Sequence, residues 1–242
     1  MAIYKNSYPF GSIVRNGLVL NLDATNLSSY PGTGTTWFDT SGNRNSGSFV
    51  SGAYNDMVRG RSSVVFDGVD DYVTGSNSSN TVGSVNLWIN PNTLVNASSS
   101  GSVLLTLRWT GVANSEWYVA LGSITGLLTN EYITVLDVAV NQRTGVTDGG
   151  SLLANTWYNI SINSESGLYQ IYVNGAAKPV STFGGGVTTL SDANKLTIGT
   201  LSRDVNGLFY NGKISTIQLY NRALTAAEVQ QNFNALRNRF GI

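Results

Sequence analysis

The 242 residues carry 14 basic and 14 acidic side chains, for a formal net charge of zero, and charged residues make up only 12% of the chain. Without a broad field of either sign, nucleic acid and anionic membrane surfaces are excluded as electrostatic partners. Cysteine and histidine are both absent, which removes disulfides, thiolate chemistry, Ser-His-Asp catalysis and the commonest transition-metal ligand.

The chain begins "MAIYKNSYPFGSIVRNG", with no uninterrupted apolar stretch of signal-peptide length, and no later run approaches the ~20 apolar residues of a membrane span. The expectation is a protein with no export signal and no span. Residues 1–16 read as an N-terminal arm before one domain, 17–242. Its Tyr4, Tyr8 and Phe10 are candidates for an assembly contact with a neighbouring subunit, and packing back on the domain is the alternative.

Gly, Asn, Ser and Thr dominate the domain, a composition of turns and short strands. Period-two alternation marks half-buried strands at "LVLNLD" (18–23), "SVNLWIN" (84–90), "SVLLTLRW" (102–109) and "YITVLDV" (132–138). It recurs at "WYNISIN" (157–163), "LYQIYVN" (168–174), "KLTIGTL" (195–201) and "KISTIQLY" (213–220). Gly, Asn, Asp and Ser clusters separate these windows, so the expected fold is an antiparallel sandwich. Asn174–Gly175 predicts a tight hairpin turn. "TFGGGVTTL" (182–190) lacks the Lys-Ser/Thr of a phosphate loop and reads as a hairpin tip.

One segment is helical by period. In "ALTAAEVQQNFNALRNRF", Val229, Phe233, Leu236 and Phe240 share a face, Thr225 and Glu228 form a capping box, and Leu224 can staple to Val229. The spacing predicts a helix over about 225–238 that covers apolar surface.

Three clusters could carry chemistry. "VVFDGVDDYV" (64–73) reads as a hairpin whose Asp67, Asp70 and Asp71 either cap their own turn or offer calcium a set of oxygens. In "WFDTSGNRNSGSF" (37–49), Asp39, Ser41, Asn43 and Asn45 alternate around Gly42, which suits a turn network or one side of a calcium site. Asp39, Asn43 and Asp67 are therefore the candidate metal ligands, and Ca2+ is the cofactor they could hold. Trp37, Tyr30 and Tyr54 sit in loop-like sequence and are candidate sugar-stacking faces, whereas Trp88, Trp109, Trp117 and Trp157 lie in strand patterns and read as core. Arg59 and Arg61 read as a solvated loop. The four glutamates are scattered, at 116, 131, 165 and 228, and form no pair of the kind glycoside hydrolysis needs, so the chain is not expected to be an enzyme.

Taken in order, "GLVLNLDA", "WFDTSGNRNSGSF", "VVFDGVDDYV", "NTWYNISI", "LYQIYVNG", "LTIGT" and "NGKISTIQLYNRALTAAEV" resemble the laminin-G-like, concanavalin A-like jelly-roll family. The resemblance implies an all-β fold, two antiparallel sheets in a jelly-roll sandwich with one C-terminal α-helix, with Phe66 and Tyr72 facing the core. Members mostly bind carbohydrate or protein, often with structural calcium. Many relatives carry an acid after the Gly-x-Ile of the last strand, where this chain has Ser215 and Thr216, and the glucanase Glu-x-Asp-x-x-Glu strand is absent. The arm and the ending "EVQQNFNALRNRFGI" are similar to single-domain members among tailed-phage virion proteins, particularly of cyanobacterial and marine phages. That likeness implies a capsid decoration or fibre component in the virion, with other virion proteins or itself (as a trimer, for example) and a host-surface glycan as partners.

Overall fold

A computed structural model describes residues 11–50, 54–56, 62–76, 81–95, 101–108, 116–122, 131–138, 140–165, 168–184, 190–191, 194–201 and 208–242; at 54–56, 165 and 190–191 only the backbone is described. With strands numbered in chain order, one sheet contains β1 (Leu18–Asp23), β4 (Tyr54–Asp56), β5 (Ser63–Asp67), β8 (Ser84–Pro91), β13 (Tyr158–Glu165), β14 (Leu168–Val173), β15 (Ala176–Ala177) and β19 (Asn211–Tyr220). The other contains β2 (Thr36–Trp37), β3 (Gly47–Val50), β6 (Tyr72–Ser76), β9 (Ser102–Arg108), β10 (Glu116–Leu121), β11 (Ile133–Asp137), β12 (Gln142–Val146), β16 (Val180–Phe183) and β18 (Lys195–Ile198). A short ribbon pairs β7 (Thr81–Val82) with β17 (Leu190–Ser191), and α1 (Ala226–Phe240) closes the chain.

The first sheet is organised around β19. β8 lies along one side of it, while β5 pairs with Asn211–Ile214 and β1 with Thr216–Tyr220 on the other. The exchange of partners falls at a bulge around Ser215, whose hydroxyl donates to the Ser62 carbonyl at 2.7 Å and whose own carbonyl accepts from Ala24 N–H at 2.9 Å. A bulge re-aims the strand so that two short neighbours can share one edge.

Alternation sorts the side chains as expected. Leu20, Leu22, Leu87, Ile89, Ile160, Ile162, Ile217 and Leu219 meet Trp37, Val73, Leu105, Leu107, Trp117, Val119, Leu196 and Ile198 in one continuous core. The opposite phase of the first sheet is buried too, because α1 lies across it. Trp88 stacks on Phe233 and Phe240 with centroids 5.8 and 4.1 Å apart, and Trp157 meets Phe240 at 4.6 Å. β8 is accordingly buried along all eight residues.

Two expectations are corrected. "VVFDGVDDYV" is not a hairpin: β5 pairs with β4 and β19 in one sheet, β6 with β3 and β18 in the other, so residues 67–71 form an arch between sheets. Phe66 is fully buried as expected, but crossing the sandwich shifts the phase of β6, and Val73 enters the core while Tyr72 stays half-buried. The helix and the Asn174–Gly175 turn stand where the sequence places them, the latter with φ of 52° and 76°.

Residues 12–16 also belong to the domain. Val14 N–H donates to Asn232 Oδ1 at 2.8 Å, Val14 carbonyl accepts from the Tyr220 hydroxyl at 3.1 Å, and Gln231 donates to Ser12 carbonyl at 2.8 Å. The described end of the arm is thus clamped between β19 and α1 of its own chain, whereas Tyr4, Tyr8 and Phe10 lie outside the described residues.

Candidate functional site

The inter-sheet arch gathers Asp67, Asp70 and Asp71, with one oxygen of each within 4.8 Å of the others. Asp67 Oδ1 accepts Val69 N–H at 2.7 Å and Asp70 N–H at 3.4 Å, and Asp67 N–H donates to Asp71 Oδ2 at 3.0 Å. Gly68 takes φ +82°, and a Cβ there would meet the Asn211 side chain at 2.8 Å, so the arch packs tightly on the start of β19. Asp67 and Asp70 face water and Asp71 is buried. The donors are hard oxygens, which suits calcium, and they would fill about three of its six to eight positions.

Asp39 behaves differently. Its Oδ1 accepts from the N–H groups of Asn21 (2.9 Å) and Ser41 (2.8 Å), and its Oδ2 from Ser41 hydroxyl (2.8 Å) and Asn45 N–H (3.0 Å). Those four bonds use the roughly four acceptor sites of a carboxylate. Asn43 and Asn45 turn their amide nitrogens to the Leu18 and Val19 carbonyls, at 3.3 and 3.0 Å. This is the turn network, stitching loop 38–46 to β1, and it leaves Asp39 no lone pair for a cation. The two clusters are also apart: Asp67 pairs with Asn211 and the Asp39 loop with Asn21, which pairs with Gln218, roughly 20 Å further along β19 at about 3.3 Å per residue.

The aromatic candidates are placed inside. Trp37 is fully buried and Tyr30 is 5% exposed, both packed on Phe49 at 6.3 and 5.3 Å. Their neighbourhood looked like loop because β2 is two residues long, yet both rings fill the sandwich end and have no face open to a sugar. The Tyr54 side chain and all of Trp109, Arg59 and Arg61 lie outside the described residues.

On the outer face of the first sheet, four neighbouring strands place Ser161, Asn86, Gln218 and Asn21 directly opposite one another. Ser161 hydroxyl and Asn159 amide donate to Asn86 Oδ1, Asn86 donates to Gln218 (2.5 Å), Gln218 to Asn21 (3.2 Å) and Asn21 to Thr40 (2.7 Å). Each amide in the row makes at least one hydrogen bond, as burial under α1 favours, while Asn159 Oδ1 has no partner. The row ends in a cleft of about 540 Å³ between residues 11–15, the turn 25–27 and the last turns of α1. Asn21 and Gln218 line it, with Asp23 held by Arg239 Nη1 at 2.8 and 3.0 Å. This site was missed at the level of sequence. The available signal was the polar phase of β1, β8, β13 and β19, which between its ends carries Asn, Gln, Ser and Thr rather than charged residues and so marks a covered face.

A second cleft, about 410 Å³, opens beside the arch and is lined by Gly68, Pro91, Val95, Leu121 and Tyr210 among others. Among the described residues no carboxylate lines it, and the first cleft has one, Asp23. Other described acids are held structurally: Glu131 by Arg143 Nε and Nη2 (3.1 and 2.9 Å), Glu116 by Arg108 (3.7 Å), Asp148 by Lys178 (2.8 Å) and Asp137 by the Tyr169 hydroxyl (3.3 Å). Burial pushes the Glu131 carboxyl above its ordinary range against the pull of Arg143. Burial, reinforced by Asp137, also raises the Tyr169 phenol.

Comparison with known proteins gives a consistent fold. Domain 4 of AbnA, an extracellular GH43 arabinanase from Geobacillus stearothermophilus solved with arabinotriose, superposes with a TM-score of 0.64 at 15% identity, over 89% of this chain and 97% of that one. A mutant Trypanosoma rangeli sialidase displaying trans-sialidase activity gives 0.63 at 16%, over 96% of this chain and 35% of that one. The botulinum neurotoxin type G receptor binding domain gives 0.59 at 16%, over 90% and 51%. This chain therefore spans about a third of the sialidase and half of the toxin domain. No curated protein matches it. Residues 66–230 match the family model described as the concanavalin A-like lectin/glucanases superfamily, and with that match over most of its length the chain belongs to this superfamily.

Proposed function

We propose that the chain is a non-enzymatic carbohydrate-binding domain, working as a structural component of a phage particle, either a capsid decoration or a fibre. The observation that carries the non-enzymatic reading is the lining of these two clefts, with one ion-paired carboxylate in the first and none in the second among the described residues. Hydrolysis of a glycosidic bond uses two carboxyl groups ~5–10 Å apart across it. Support for glycan binding comes from the superfamily and from a domain of matching length that was solved holding arabinotriose.

Calcium, where used, sits on the Asp67, Asp70 and Asp71 oxygens and stiffens the arch; this chain's residues hold it and no step of chemistry passes through it. Glycan-array binding of the full chain with and without chelator tests the lectin reading, and an empty array under both conditions removes it. A reducing-end assay on the bound glycans tests the absence of catalysis, and measurable turnover overturns it. The particle setting rests on the likeness of the arm and the C-terminal ending to phage virion proteins. It predicts that a chain lacking residues 1–10 folds but fails to enter particles, and incorporation at the normal level refutes it.

A further inference from the structure

The cleft at the end of the amide row has an imbalance of charge. Arg15 and Arg239 bring two guanidinium groups to its lining and Asp23 one carboxylate. Asp23 is engaged twice by the same nitrogen, Arg239 Nη1, and also accepts Thr25 N–H at 2.9 Å. Among the described residues the Nε and Nη2 of Arg239 have no hydrogen-bond acceptor, which leaves a two-donor edge on a side chain that is 11% exposed. The guanidinium also lies over the Phe240 ring, 6.0 Å from its centroid, and the fork geometry of its remaining two-donor edge matches a carboxylate. Arg15 also lines the cleft and is exposed, and its guanidinium has no acceptor among the described residues.

The remaining lining is mixed. Asn21 and Gln218 on the floor are already bonded to each other, so specificity is left to the arginines and to hydroxyl or amide groups at the rim, such as Ser12, Thr25 and Asn26. Ile13, Leu27 and Leu236 supply apolar wall. The combination of a two-donor cationic edge, scattered hydroxyl partners and an apolar wall in about 540 Å³ fits a ligand having a carboxylate, hydroxyls and one less polar ring face.

We propose that this cleft binds the acidic sugar of a glycan, a hexuronate or a sialate, with the Nε–Nη2 edge of Arg239 gripping the carboxylate and Arg15 supplying the second positive charge. The proposal rests on the carbohydrate-binding reading above and names its ligand class and site. The pyranose lies against Ile13 and Leu236, and the Asp23–Arg239 pair fixes the guanidinium plane before the ligand arrives.

The test is calorimetric titration of the full chain with two matched pairs, trigalacturonate against galactotriose and sialyllactose against lactose. At least one acidic member should bind tenfold or more tightly than its neutral counterpart, and the preference should shrink as salt is raised. Arg239→Lys keeps the charge beside Asp23 but loses the two-donor edge, and should weaken the acidic ligand at least tenfold. Arg15→Gln, on an exposed side chain, should weaken it severalfold with the melting temperature unchanged. Equal binding of acidic and neutral members, or an acidic ligand indifferent to both substitutions, overturns the proposal. Acidic and neutral glycans that both bind, and bind regardless of either substitution, sink the cleft assignment and leave the carbohydrate reading standing. Silence from all four probes and from the array removes both.

Discussion

Asp39 holds loop 38–46 against β1 through three backbone N–H groups and one hydroxyl, so removing its carboxylate strands three donors at once. Asp39→Ala should cost roughly 2–4 kcal/mol, given 1–3 kcal/mol for each buried group left unpaired and partial rescue by water, read as a lower urea midpoint with unchanged slope. Asp67→Ala, at an exposed carboxylate holding two N–H groups of the arch, should cost less in chelator and should abolish any stabilisation by added calcium. A third residue owes its identity to a neighbour. At Gly145 a Cβ would lie 2.0 Å from the Glu131 Cδ, and Glu131 is fully buried with Arg143 as its cation. Gly145→Ala should therefore push the carboxylate off its partner and cost about 3–5 kcal/mol, the range for breaking a buried pair. None of these three roles can be read from residue type alone, since an aspartate in a Gly/Asn-rich loop reads equally as a cap and as a metal ligand until its acceptors are counted.

Among elements, α1 was legible to within two residues, because its start and end are local chemistry. Thr225 and Glu228 bond each other's backbone, and Gly241 ends the helix at φ 76°. Arg222 adds a two-nitrogen grip on Glu228, and with the Thr225 N–H it pulls that carboxyl down from 4.5 to about 2. The folded value lies below the unfolded one, so the stabilisation is fully present above about 4.5 and is lost as pH falls toward 2. The acid limb of a stability–pH curve should accordingly flatten in Glu228→Gln, and an unchanged limb would contradict the assignment. The helix's worth lies in its apolar face: Phe240→Ala removes the ring stacked 4.1 Å from Trp88 and should cost about 3–5 kcal/mol. Strands with one apolar and one polar phase were equally legible, even where α1 covers the polar phase, which is why β1, β14 and β19 fall on their alternating windows. β10 and β12 were not, because "EWYVAL" is apolar on both faces after Glu116 and "QRTGV" has no apolar side chain before Val146, so neither sequence alternates. The arch 67–71 was misread as a hairpin for a further reason. Asp-Gly chemistry specifies a reversal of the backbone, and nothing local says whether the returning strand rejoins its own sheet or the other one.

At the scale of the whole molecule, the two ends of the chain are one structural unit. β1 near the start and β19 near the finish pair along Thr216–Tyr220, and the Tyr220 hydroxyl, the Asn232 amide and the backbone of Val14 form a closed set of bonds at 3.0, 3.1 and 2.8 Å. Contacts spanning more than two hundred residues are slow to form, and they make the sandwich, the helix and residues 12–16 melt together rather than in parts. Far-ultraviolet dichroism and tryptophan fluorescence should therefore report one midpoint. The same clamp divides the arm into two pieces with separate consequences. Truncation after Phe10 leaves every one of these bonds in place and should hold the melting temperature within a degree or two. Truncation after Asn16 removes both backbone partners that Val14 offers to Asn232 and Tyr220, uncovers the apolar strip under α1, and should lower stability by roughly 2–4 kcal/mol from one buried side chain and two buried hydrogen bonds. If the longer truncation melted like the shorter one, residues 12–16 would be ornament on a finished domain, and the search for an assembly role would have to extend to residue 16 instead of ending at residue 10.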